Sequence, residues 1–201
     1  MLRRGLQQLG EAPESHPCDR YLAYIDLLCE WNKAYNLTAV CSREEMLTRH
    51  ILDSLAILPC VHGNRCLDIG TGAGLPGLVL ALARPVQFWT LLDSNGKKIR
   101  FLNHAVMQLH PDNIEVVHSR IEDYRPPQPF DTIVARAWTS LKNFHDLATG
   151  LLHENGRLVA MKGKRPGREL AELKEHKINF EIREIQVPLV NIVRHVVVMG
   201  A

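Results

Sequence analysis

The chain has 201 residues, 46% of them hydrophobic, and a formal net charge of +2 at pH 7. That length and apolar content allow one domain with a substantial core and room for an appendage. A net charge so near zero excludes a global field that would draw in a polyanion, so any such binding rests on local clusters.

The five cysteines, Cys18, Cys29, Cys41, Cys60 and Cys66, form no CxxC pair, are odd in number and place Cys66 inside a predicted strand. Reduced thiols in a cytoplasmic protein are the economical reading. Met1 to Gly10 has no apolar stretch of signal-peptide length, and no segment is long enough to span a bilayer. The ten histidines show no metal-ligand spacing, so no metal is expected.

Residues 1–60 read as a helical cap. Tyr21, Leu22, Ile25, Leu28, Cys29 and Tyr35 recur at helical spacing, which turns Asp19, Arg20, Asp26 and Glu30 outward. Ser42 followed by Glu45 predicts a capping box opening a second helix, with Met46, Leu47, Ile51, Leu55 and Leu58 as its apolar face and Pro59 closing it. Such a cap can simply pack on the main domain, or also wall one side of a cleft.

Residues 61–201 form the main domain, organised around Cys66-Leu67-Asp68-Ile69-Gly70-Thr71-Gly72-Ala73-Gly74-Leu75-Pro76-Gly77. An apolar run from Val61 to Ile69 leads into alternating glycines, then into the helix-compatible Leu78 to Ala83, with Pro76 suited to the first turn. Glycine lets the backbone adopt φ > 0 and approach a ligand, and the helix start adds free N–H groups. Gly72 to Gly77 also satisfies the dinucleotide pattern GxGxxG. Asp68 decides against that ligand, because a carboxylate beside the turn repels a pyrophosphate. It favours the ammonium and sulfonium of S-adenosylmethionine. Asp93, at the end of the next strand, is the expected acid for ribose hydroxyls, near the ~20-residue spacing such sites use. A glycine turn without ligand is the alternative.

From Arg65 onward strands and helices alternate. Strands are predicted at Arg65–Ile69, Val86–Leu92, Ile114–His118, Phe130–Val134, Gly156–Met161, Phe180–Val187 and His195–Met199. Ile99, Leu102, Val106 and Leu109 mark an amphipathic helix. Only Pro188 to Arg194 separates the last two strands, which should pair as an antiparallel hairpin. The expected fold is therefore α/β, a Rossmann-like class I methyltransferase sheet of seven strands behind the helical cap.

Ligands of such sheets bind beyond the carboxyl ends of the strands. Those ends supply Asp68 and Gly70, Asp93, Ser119 to Glu122, Arg136, and Lys162-Gly163. Ile121 and Glu122 suit an adenine, one by apolar contact and one by hydrogen bonding; a solvated loop acid is the alternative for Glu122. Arg136, directly after an apolar strand, needs an anionic or hydrogen-bonding partner, and a structural salt bridge would serve as well. Arg136-Ala137-Trp138 replaces the acid or amide with Pro-Pro-aromatic that amino-methylating enzymes often carry there. No cysteine occupies that end for covalent attack on a pyrimidine. Lys162, Lys164, Arg165 and Arg168 form the densest basic run. Its place at the active edge points to a nucleic-acid backbone, against the plainer reading of a solvated face.

The chain resembles the bacterial small-subunit ribosomal RNA guanine-N7 methyltransferase G family, also called glucose-inhibited division protein B. The resemblance rests on Trp31 to Thr38, Arg49-His50-Ile51-Leu52-Asp53-Ser54, the Asp68 to Gly77 loop, Asp93-Ser94 through Lys97 to Phe101-Leu102, Arg136-Ala137 and Lys162-Gly163. Ala135 stands where many relatives have serine. The resemblance implies S-adenosylmethionine as cofactor, bound by Gly70, Leu75, Ile121, Glu122 and Arg136, with Asp68, Gly72 and Asp93 from the loop reading. It implies a guanine of 16S rRNA near the decoding site as substrate, free or in the small subunit. A monomer that does not bind membranes is expected. Guanine N7 has a lone pair at neutral pH, so no catalytic base is expected. A small-molecule methyltransferase and a non-catalytic nucleotide-sensing or division-related binding protein are the rival classes.

Overall fold

The computed structural model describes residues 1–200. The N-terminal segment forms α1 (Leu2–Gln8), α2 (Cys18–Tyr35) and a compound rod. The rod comprises α3 (Arg43–Met46), a π-helical stretch (Leu47–Leu52) and α4 (Asp53–Leu55). The predicted second helix is thus interrupted, and its capping box is half made. Ser42 Oγ accepts from the Glu45 N–H at 3.1 Å, while the Glu45 carboxylate faces Arg49 at 3.7 Å. On α2 the buried face is Tyr21, Tyr24, Ile25 and Leu28, whereas Leu22, predicted to face inward, is exposed. Tyr24 takes the inward position because it lies three residues from Tyr21 on the same helical face.

The sheet then builds from β1 (Arg65–Ile69), β2 (Phe88–Asp93), β3 (Ile114–His118), β4 (Phe130–Arg136), β5 (Leu152–Lys162), β6 (Phe180–Val187) and β7 (Ile192–Gly200). Its order is β3-β2-β1-β4-β5-β7-β6, with the first five strands parallel and β7 antiparallel to both neighbours. β1, β3 and β6 coincide with their predicted spans. The apolar run that starts at Val61 becomes a strand only at Arg65, and β5 and β7 start earlier than the apolar runs suggest. Hydrogen-bonded ladders there continue through polar residues that pattern alone leaves out.

Residue alternation divides the core. Cys66, Leu91 and Val134 face α5 (Gly77–Ala83), α6 (Gly96–Leu109) and the N-terminal helices in one continuous apolar cluster. Leu67, Ile133 and Leu158 face α7 (Leu141–Ala148) and α8 (Gly167–Glu175) on the other side. The sequence pattern places neither α7 nor α8 individually. The topological switch lies between β1 and β4, both parallel and both ending at the same edge. At that edge β7 runs the opposite way, so its beginning, not its end, meets Lys162: Lys162 pairs with His195.

Candidate active site

The loop after β1 is held by two carboxylates. Asp68 is fully buried; its Oδ2 accepts from the Thr71 hydroxyl and the Gly77 N–H, both at 2.7 Å. Burial pushes its carboxyl up to about 7, against the lowering effect of those hydrogen bonds and of the Arg136 charge. Oδ1 has no hydrogen-bond partner. Asp93 accepts from the Gly72 N–H at 2.8 Å through Oδ2 and from the Asn95 N–H at 2.8 Å through Oδ1. Gly70, Gly72 and Gly74 adopt φ of 63°, 62° and 97°, which requires glycine in succession to turn the chain this sharply. Across the loop, the Tyr24 hydroxyl donates to Ala73 O at 2.8 Å, tying α2 to it.

Beside this loop opens a cleft of about 430 Å³, walled by Gly70, Asp93, Asn95, Lys98, Ile121, Glu122, Ala137 and Trp138. The volume is that of a small-molecule site. An ionised carboxylate offers about four acceptor positions, and Asp93 uses one on each oxygen, leaving capacity for hydroxyl donors from a ligand. Ile121 is buried and apolar, and Glu122 stands exposed at the rim.

A second cleft, of about 320 Å³, adjoins the first and shares Ala137 with it. Ala137 holds φ of 50°, a conformation that costs a non-glycine residue energy. Arg49, His50 and Asp53 reach this cleft from the π-helical stretch and the start of α4, Arg136 from the end of β4, Lys162 from the end of β5 and Arg194 from the start of β7. π-Helical turns shift the register of a helix face and recur at functional sites. The His50 ring is committed on both sides: Nδ1 donates to Arg49 O at 3.0 Å and Nε2 accepts from the Thr38 hydroxyl at 2.9 Å. A carbonyl can only accept, which sets the proton on Nδ1. Burial pushes the ring down to about 4, with the Arg136 charge acting in the same direction, so it stays neutral near pH 7.

The pattern of the family described as rRNA small subunit methyltransferase G, or GidB, matches residues 18–197. The chain belongs to this family. It is 50% identical over 175 residues to the ribosomal RNA small subunit methyltransferase G of Pseudomonas aeruginosa, covering 87% of this chain and 82% of that one. It is 43% identical over 198 residues to the enzyme of the same name from an Enterobacter species, covering 98% and 96%. Among solved structures, a SAM-dependent methyltransferase from Aquifex aeolicus superposes with a TM-score of 0.57 at 18% identity, covering 78% of this chain and 93% of that one. TYW2 from M. jannaschii, solved in complex with AdoMet, gives 0.54 at 18% identity, covering 74% and 72%. The fold is that of the class I methyltransferases.

Within this methyltransferase G chain, the residues singled out from the sequence fall into three groups. Gly70, Asp93, Ile121 and Glu122 meet in the first cleft. Arg136 and Lys162 wall the second. Asp68 and Leu75 lie buried beneath the loop, and Gly72 contributes its N–H to Asp93, so these three shape the cleft from behind its wall. Lys162 differs from its neighbours in the basic run: its ammonium donates to Glu169 at 2.7 Å and to Thr139 O at 3.0 Å. Lys164, Arg165 and Arg168 are exposed and make no ion pair among the described residues. Sequence reasoning misses Trp138, Asp53 and Arg194 as site residues. Trp138 is the one with a local signal, since it follows Arg136-Ala137 at the strand end and crosses Gly70 so closely that a Cβ there would come within 2.4 Å of its ring.

Proposed function

We infer that this chain transfers a methyl group from S-adenosylmethionine to N7 of a guanine in 16S rRNA, with the first cleft holding the donor and the second the target base. The observation that carries the reading is the pair of clefts sharing a single wall at Ala137, on a chain of the methyltransferase G family. Methyl transfer requires donor and acceptor on one line with water excluded. Two adjoining clefts would bring donor and acceptor together at their shared wall.

The first cleft suits the donor on three counts. Asp93 has acceptor capacity for ribose hydroxyls, Ile121 and Glu122 offer an apolar face and a polar edge for adenine, and Asp68 is a buried carboxyl behind the loop whose charged form would favour a positive ligand. When bound, S-adenosylmethionine supplies an electrophilic methyl: the N7–carbon bond forms, the sulfur keeps the electron pair of the bond that breaks, and the positive charge passes to the purine. The chain's own task is positional. His50 is neutral and both its ring nitrogens are engaged, so it neither removes nor supplies a proton, and N7 requires neither. On the loop that follows Lys162 and Gly163, the exposure of Lys164, Arg165 and Arg168 supports contact with an RNA backbone.

Incubation with labelled methyl donor and naked 16S rRNA, small ribosomal subunits or a panel of small methyl acceptors tests the reading. Label is expected in 16S rRNA, at a guanine whose N7 modification is mapped by borohydride–aniline cleavage. Label on an exocyclic amine, or only on small acceptors, would overturn it.

A further inference from the structure

The cations around the second cleft are not free. Asp53, only 2% exposed in its side chain, stands between two arginines that arrive from different strands: Arg194 Nε donates to Oδ1 at 2.8 Å, and Arg136 Nη1 donates to Oδ2 at 3.4 Å. Arg136 also donates to Arg49 O at 3.3 Å. Lys162 is paired with Glu169, and Arg49 with Glu45. Each cation on this cleft therefore touches a carboxylate, with Arg136 and Arg194 sharing Asp53, while Lys164, Arg165 and Arg168 on the adjacent loop have none among the described residues.

We propose that Asp53 is the positioning residue of the second cleft, fixing the guanidinium groups of Arg136 and Arg194 at its wall and offsetting one of their two charges, so that the cleft favours an uncharged nucleobase while phosphates bind the adjacent basic loop. The inference rests on the methyl-transfer reading above and adds to it how the base is told from the backbone. A cleft with two unpaired arginines is a phosphate site, because guanidinium matches phosphate oxygens with two parallel hydrogen bonds. It would also oppose a base that becomes cationic on methylation. Arginine's common contact with guanine takes O6 and N7 together, and N7 is the atom that must stay open. A guanidinium whose Nε is committed to Asp53 cannot use that N–H on the base. The carboxylate and both arginines come from the cap, β4 and β7, so no single element could hold this geometry without Asp53 as the common point.

Asp53→Asn and Asp53→Glu, made in the full chain and assayed on small ribosomal subunits, test the proposal. For Asp53→Asn the single-turnover rate at saturating RNA is expected to fall at least tenfold while the dissociation constant of S-adenosylmethionine stays within twofold. The plot of log RNA affinity against log salt is expected to steepen by about 0.7–0.9 for each guanidinium released to phosphate. Asp53→Glu is expected to restore the wild-type slope and part of the rate. The double variant Asp53→Asn/Arg194→Gln removes one charge of each sign, leaves Arg136 as the one arginine without its carboxylate, and is expected to return the slope toward wild type. An unchanged rate and slope in Asp53→Asn, or a rate loss matched by equal losses of cofactor affinity and melting temperature at constant slope, would overturn the role of Asp53. A wild-type protein that binds RNA without methylating it would instead overturn the methyl-transfer reading and leave the slope comparison intact.

Discussion

At the scale of single residues, Asp93 has two duties. It accepts two loop N–H groups and retains acceptor capacity toward the cleft. Asp93→Ala is expected to weaken S-adenosylmethionine binding by ~1–3 kcal/mol, the cost of unmade hydrogen bonds to a charged acceptor, measured by titration calorimetry with a circular-dichroism check that the fold survives. Asp68 and His50 titrate in opposite senses. Asp68 has its folded value raised to about 7 from 3.8 by burial, so the stability linked to its proton is whole below about pH 4 and is lost as pH rises through about 7. The charged form that appears above about 7 is the one a cationic ligand favours. Cofactor affinity is expected to rise with pH through that range, about tenfold if binding lowers the carboxyl by one unit, and to become flat in Asp68→Asn. His50 is depressed from 6.5 to about 4, so its contribution is whole above about pH 6.5 and is lost as pH falls toward 4. With both ligands saturating, the methyl-transfer rate is expected to stay nearly flat from about pH 6 to 8.5, where neither N7 nor His50 changes protonation. A tenfold climb per pH unit in single-turnover assays would show that a base is required.

At the scale of elements, the β1–α5 loop and the cap act as one unit. Gly70 combines φ of 63° with a Trp138 ring that a Cβ would approach to 2.4 Å. Gly70→Ala is expected to lose cofactor binding and to lower the melting temperature by several degrees, since the left-handed conformation alone costs about 1–2 kcal/mol for a residue with a Cβ. Gly167→Ala is its control: it starts α8, has nothing within 4 Å of where a methyl would stand and no positive φ, and is expected to be neutral or stabilising by about 0.4–1 kcal/mol. Differential scanning calorimetry of the two separates loop geometry from glycine content. The Tyr24 hydroxyl on Ala73 O ties the cap to the same loop. Tyr24→Phe strands a buried carbonyl and is expected to cost about 1–2 kcal/mol of stability.

At the scale of the whole molecule, a charge of +2 hides an uneven surface. Cations beside the second cleft are paired, whereas Lys164, Arg165 and Arg168 are exposed and unpaired among the described residues. Neutralising Lys164 and Arg165 together is expected to lower RNA affinity and to flatten its salt dependence by about 0.7–0.9 for each phosphate no longer neutralised, with cofactor affinity unchanged. Filter binding across a salt series measures it, and an unchanged slope would make this loop a solvated face. Lys162 is left out of that set because its ammonium already belongs to Glu169 and Thr139 O.

The parts legible in the sequence are those whose physics is local. The strand–glycine loop–helix around Asp68, the seven strands and the terminal hairpin follow from period-two alternation, glycine's access to positive φ and the absence of a helix between β6 and β7. Gly70, Asp93, Ile121 and Glu122 could be placed at one edge because parallel strands carry their carboxyl ends to the same side. Sequence spacing could not separate Gly70, on the cleft wall, from Leu75, buried five residues later, since a tight loop sends successive side chains to opposite sides. Nor could it assemble the second cleft. Asp53 meets Arg136 across 83 positions and Arg194 across 141, through a π-helical shift in the cap and an antiparallel strand whose beginning meets the parallel strands' ends. Local pattern selects the elements; the pairing of buried charges depends on where packing leaves each element, and that is decided only when the cap closes over the sheet.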